Sequence, residues 1–106
     1  MLSCFDIRKE SNLEEVRQAL AAYMTHMQEL DLVVGADPIG IRQSDTILDT
    51  DEERSQAYLL LMHFRDRAQS DDAVRHIESF QEPAASIHRE LYSKLESLVF
   101  ICWEDS

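Results

Sequence analysis

Ala84, His88, Leu91, Tyr92 and Leu95 fall at i, i+4, i+7, i+8 and i+11, a spacing that puts all five on one face of a helix. A neutral His88 imidazole could take a proton from an activated carbon acid or a phenol. Tyr92, one turn later, could hold a carbonyl oxygen through its hydroxyl. The structural alternative is a half-buried His88 ring hydrogen-bonded to a backbone carbonyl. His63 lies in the apolar run Tyr58–Phe64. Strand alternation groups it with Leu59, Leu61 and Arg65, opposite Tyr58, Leu60, Met62 and Phe64, so it faces either a cavity beneath helices or a partner surface. Arg42, after the Gly-Ile pair, and Tyr58 are candidate ligand contacts, Arg42 for an anionic group; a solvated arginine is the alternative.

Other titratable residues offer less. His26 and His76 have polar neighbours on helices and are expected to be exposed. A metal centre needs three or four converging ligands, and no His-x-x-x-His, His-x-His or Cys-x-x-Cys spacing occurs. The carboxylates Asp45, Asp49, Asp51, Glu52 and Glu53 lack the ordered spacing of a calcium loop and read as a solvated acidic segment. Glycine-rich phosphate loops, a Gly-x-Ser-x-Gly elbow and a dinucleotide fingerprint are missing too, so no cofactor and no metal are expected.

The elements that must position these residues follow from periodicity. Met1–Ile7 reads as a strand. Ser11-Asn-Leu-Glu14 has the form of a capping box. Leu13, Val16, Leu20, Tyr23, Met27 and Leu30 then form one apolar helical stripe. Leu32–Ile41 reads as an edge strand broken by Gly35 and Pro38, since proline cannot donate to a central ladder. A polar loop over 43–54 leads to a strand over 55–64. A second helix is expected over 70–80, and a third from Pro83 through Ile87, Leu91 and Leu95. Leu98–Trp103 forms the last strand.

The order β-α-β-β-α-α-β is the split pattern of a ferredoxin-like α+β fold. Its strand order 4-1-3-2 places the first and third strands at the centre, expected here to run parallel. Helices cover only one face of such a sheet, yet the strands are apolar on both. A second copy stacked on the open face is the expected solution, so the chain is expected to be a homodimer.

Composition narrows the classes. A chain of 106 residues makes one domain. Twenty-one acidic against ten basic residues leave a net charge of −11, which repels nucleic-acid phosphates and anionic membrane surfaces. No apolar run approaches the ~20 residues of a membrane span, and the amino terminus lacks a signal-peptide pattern, so a cytoplasmic protein is expected. Cys4 and Cys102 are both placed in buried strands, as reduced thiols that face each other if the first and last strands pair.

With its element order in hand, the chain resembles the dimeric α+β barrel superfamily, which includes stress-responsive A/B-barrel proteins, polyketide cyclases, cofactor-free monooxygenases and muconolactone isomerases. Asp66-Arg-Ala-Gln69, Asp72-Ala73, Pro83, His88 and Phe100-Ile-Cys-Trp-Glu-Asp105 look like a small uncharacterised bacterial family within it. The middle of the chain departs from that pattern at Pro38. The resemblance implies a cofactor-independent enzyme acting on a small apolar carbonyl or phenolic compound, with His88 as base and Tyr92 or His63 assisting. The alternative is a non-catalytic homodimer that binds a small molecule or serves as an interaction module.

Overall fold

Apolar runs at the start, middle and end of the chain pair into one antiparallel sheet in the computed structural model, which describes all 106 residues. The elements are β1 (Leu2–Ile7), α1 (Leu13–Glu29), β2 (Gly35–Ala36), β3 (Gly40–Ile41), β4 (Tyr58–His63), α2 (Arg67–Glu78), α3 (Ala84–Tyr92) and β5 (Leu95–Ile101). The sheet order is β2-β4-β1-β5, with β3 also on β4. Its two central strands, β1 and β4, run antiparallel, in the register Leu2↔Leu61 to Phe5↔Tyr58. The parallel pairing expected from the sequence is therefore corrected. The crossover through α1 leaves a gap beside β1, and the chain reverses direction before filling it.

The broken edge strand takes the form its sequence dictates. Asp37, Pro38 and Ile39 separate β2 from β3, and both short pieces pair with β4. Pro38, with no N–H to donate, sits in the interruption.

Helix boundaries differ from the sequence reading in instructive ways. The N-cap of α1 is Asn12, not Ser11: its side chain accepts from the Glu15 N–H at 2.9 Å and donates to the Glu15 carboxylate at 2.8 Å. The box closes one residue later because Asn caps as well as Ser. At the other end Asp31 takes a positive φ of 55°. Its N–H reaches the Gln28 carbonyl while that of Leu32 reaches the Met27 carbonyl, the paired bonds of a Schellman ending. Helix α2 starts at Arg67 rather than Ser70, because Asp66 caps it by accepting from the Gln69 N–H at 2.8 Å. Phe80 lies beyond its end at φ 53° and is 80% exposed. Leu95 opens β5 instead of closing α3. Cys102 and Trp103 fall outside the strand, so Cys102 is exposed and only Cys4 is a buried thiol.

All the helices lie on one face of the sheet. Phe5, Leu60, Met62 and Leu95 from the strands pack with Val16, Leu20, Tyr23 and Met27 of α1, Ala73 of α2 and Leu91 of α3. The Asp66-Arg-Ala-Gln69 motif joins this assembly at a corner. Gln69, only 2% exposed, accepts from the Arg65 N–H at 2.6 Å and donates to the Asp31 carbonyl at 3.2 Å. One amide thus ties the end of β4 to the end of α1, so the motif residues have a structural task.

Leu60, 6% exposed at the centre of the core, gives a direct check. Leu60→Asp would bury an unpaired carboxylate at a cost of about 3–5 kcal/mol, against a typical domain stability of about 5–15 kcal/mol. The expected outcome is loss of the cooperative thermal transition by circular dichroism.

Candidate functional site

Two regions bring together side chains capable of chemistry, on opposite faces of the sheet. On the helical side, His88 and Tyr92 stack with ring centroids 4.5 Å apart, as their one-turn spacing requires. Tyr23 of α1 meets His88 at 5.9 Å and the edge of Tyr92 at 6.1 Å, and Phe100 of β5 closes the far side of Tyr92 at 6.3 Å. Burial pushes the Tyr92 phenol above its ordinary range, and burial together with Tyr92 does the same to Tyr23. Burial alone lowers His88; no carboxylate or hydrogen-bond partner adds to the effect. Both phenols stay protonated at neutral pH and His88 is kept neutral, which are the states a base and a hydroxyl donor need. Room for a substrate is another matter. The space beside Tyr92, among Ser3, Phe5, Leu60, Leu91 and Leu98, amounts to about 10 Å³, enough for roughly one water. Ser3 Oγ is buried next to it without a partner.

The second region lies on the face without helices. Leu2, Cys4, Leu59, Leu61, Val99 and Ile101 point that way, as their pairing across β1, β4 and β5 requires. The loop over 42–57 folds back over part of this face, leaving a groove of about 500 Å³ bounded by Leu2, Leu59 and Ile101 below and Arg42, Asp49 and Gln56 above.

Arg42 organises that loop. Its Nε and Nη2 donate to the two Asp49 oxygens at 2.7 and 2.8 Å, Nη2 also donates to the Asp51 carbonyl at 2.7 Å, and Nη1 donates to the Arg54 carbonyl. The guanidinium holds the Asp49 carboxyl below the usual carboxylate range. The solvated or anion-binding arginine expected from the sequence is thus a half-buried clasp, most of its donors already engaged within the loop. Gln56 is buried as well. Its amide nitrogen donates to the Ser97 carbonyl at 2.6 Å, while its Oε1 has no partner.

The sequence candidates therefore separate. His88 and Tyr92 come together. His63 stands apart, exposed at the outer edge with its Nε2 3.0 Å from Asp37 Oδ1. Tyr58 is on the helical side, stacked on Phe5 at 5.8 Å, away from Arg42's groove. His26 and His76, expected in solvent, are half-buried and touch each other. Sequence reading missed Asp49 and Gln56 because nothing about an acidic loop shows which carboxylate will meet an arginine seven residues away. No helix is long and apolar enough to cross a membrane, and no three metal-ligating side chains converge.

The fold recurs in a known structure. The chain is similar to the crystal structure of At3g17210 from Arabidopsis thaliana, with a TM-score of 0.71 and 9% identity over 99% of this chain and 92% of that one. At that identity the likeness is one of fold. A second similar structure is a dimeric protein of unknown function and ferredoxin-like fold from Bacteroides fragilis, with a TM-score of 0.44 and 12% identity over 92% of this chain and 86% of that one. No protein-family model and no curated protein matches the sequence.

Burial of His88 fixes a sign for pH dependence. With its folded value depressed, the unfolded chain binds this proton first as pH falls, so stability drops below the ordinary histidine value of about 6.5. His88→Gln cannot take up that proton. In thermal melts from pH 7.5 downward, wild type is expected to lose stability more steeply than His88→Gln once pH passes below about 6.5; equal slopes would remove the burial argument.

Proposed function

We propose that this chain is a homodimeric small-molecule-binding module of the dimeric α+β barrel type, non-catalytic, with its ligand held between the outer sheet face and the Arg42 loop. The observation carrying this reading is the contrast in space. A groove of about 500 Å³ lies on the outer face, against about 10 Å³ beside Tyr92, and small-molecule sites are typically ~300–1,000 Å³. The groove's chemistry suits a ligand with an apolar body on Leu2, Leu59 and Ile101.

Support for the dimer comes from the same face. Leu2, Leu61, Val99 and Ile101 remain at least partly exposed beyond the loop, and Ile47 and Leu48 on the loop are 94% and 87% exposed. An apolar sheet face rimmed by two such side chains is a surface of the kind that obligate partners bury. A second copy placed there would also roof the groove.

The enzyme reading rests on the neutral His88 beside a protonated Tyr92. It has less support, because the space beside Tyr92 amounts to only about 10 Å³ and His63 is on the other face.

Leu61→Glu separates folding from association, because Leu61 is on the outer face and only partly buried. Sedimentation equilibrium should give a dimer for wild type and a monomer for the variant, with the far-ultraviolet spectrum unchanged. A wild-type monomer at micromolar concentration would overturn the proposal.

A further inference from the structure

Two histidines fifty residues apart meet where two helices end. His26 is in the last turn of α1 and His76 in the last turn of α2, and both rings are half-buried. Their Nε2 atoms are 3.0 Å apart and their ring centroids 5.2 Å apart, so the rings meet edge to edge through those nitrogens. A contact of this kind requires one ring to donate its N–H and the other to accept.

The same nitrogens make a bidentate ligand. Bonds of about 2.0–2.1 Å to zinc place two neighbouring imidazole nitrogens about 2.9–3.4 Å apart, so the backbone need not move. Each ring has only to turn by roughly 35° toward a common point, about a side-chain torsion whose energy well is broad.

The surroundings add a second reason. Both histidines stand in the last turns of helices, where the negative end of the helix dipole favours a cation. The chain's net charge of −11 acts in the same direction. Only two side chains converge there, short of the three or four that a closed centre needs, so water would fill the remaining positions and the bound ion would be exchangeable.

We infer that His26 and His76 form a two-histidine site for a borderline divalent transition metal ion, of the zinc, nickel or copper(II) class that imidazole suits. The ion takes the place of the shared proton and pins the end of α1 to the end of α2. Binding then stabilises the fold by mass action. The site is independent of the groove and of the dimer.

The test is a zinc sulfate titration of the untagged chain, followed by the imidazole C–H resonances of all four histidines. The expected result is that His26 and His76 shift together and saturate at one equivalent per chain, while His63 and His88 do not move. Groups that only hydrogen-bond to a metal's ligands change its affinity by about 10–100-fold, so His26→Gln or His76→Gln, which removes a ligand itself, should weaken zinc binding by at least about tenfold and abolish the zinc-dependent rise in melting temperature. No shift of His26 and His76 with zinc, or a His26→Gln/His76→Gln double variant that binds zinc as wild type does, would overturn the inference. The resonance shifts keep the test decisive if a variant misfolds.

Discussion

The structure depends on one unbalanced arrangement, an antiparallel sheet with three helices on one face and side chains almost as apolar on the other. Phe5, Leu60 and Met62 have α1 to pack against. Of their alternates along β1, β4 and β5, Leu2 has only the loop over 42–57, and Leu61 and Val99 remain partly exposed beyond it. A sheet cannot change this by local adjustment, because side chains alternate with a period of two and a shifted register would only exchange the faces. The chain meets the constraint in part, by folding the loop inward over Cys4 and locking it with Arg42 and Asp49.

That solution explains where chemistry can and cannot occur. The helical side is filled. His88 and Tyr92 occupy a seam between α1, α3 and β5 where aromatic rings pack against one another, so desolvation tunes their protonation, and the space beside Tyr92 is no larger than about one water. The outer side is the reverse: a floor of apolar side chains, a polar clasp above it and one buried amide oxygen without a partner. The His88–Tyr92 pair and the larger open volume are on opposite faces of the sheet, the contrast on which the proposed reading rests.

Much of the architecture was legible because it depends on local signals. The helical stripe from Val16 to Met27, the interruption at Pro38 and the apolar run at Tyr58–His63 each read directly, since period and proline chemistry act over a few residues. Boundaries were less legible where capping competed: Asn12 displaced Ser11, and Asp66 started α2 a turn early. The candidate site was legible only within one element. His88 and Tyr92 share a helix face by spacing, whereas His26 and His76, or Arg42 with the Arg54 carbonyl, meet through tertiary or loop geometry that no periodicity encodes. The direction of β4 relative to β1 was misjudged for a similar reason, because it is set by the order of crossovers rather than by either strand.

The claim that a second copy covers the outer face is tested most directly by isotope-filtered nuclear Overhauser spectroscopy on a mixture of methyl-labelled and unlabelled chains. The account predicts contacts between protomers at the methyls of Leu2, Leu61 and Val99, and none between protomers at Leu20 or Leu91 in the helical core. Filtered spectra with no contacts at Leu2, Leu61 and Val99, from a particle with the 12.3 kDa mass of a single chain, would contradict it.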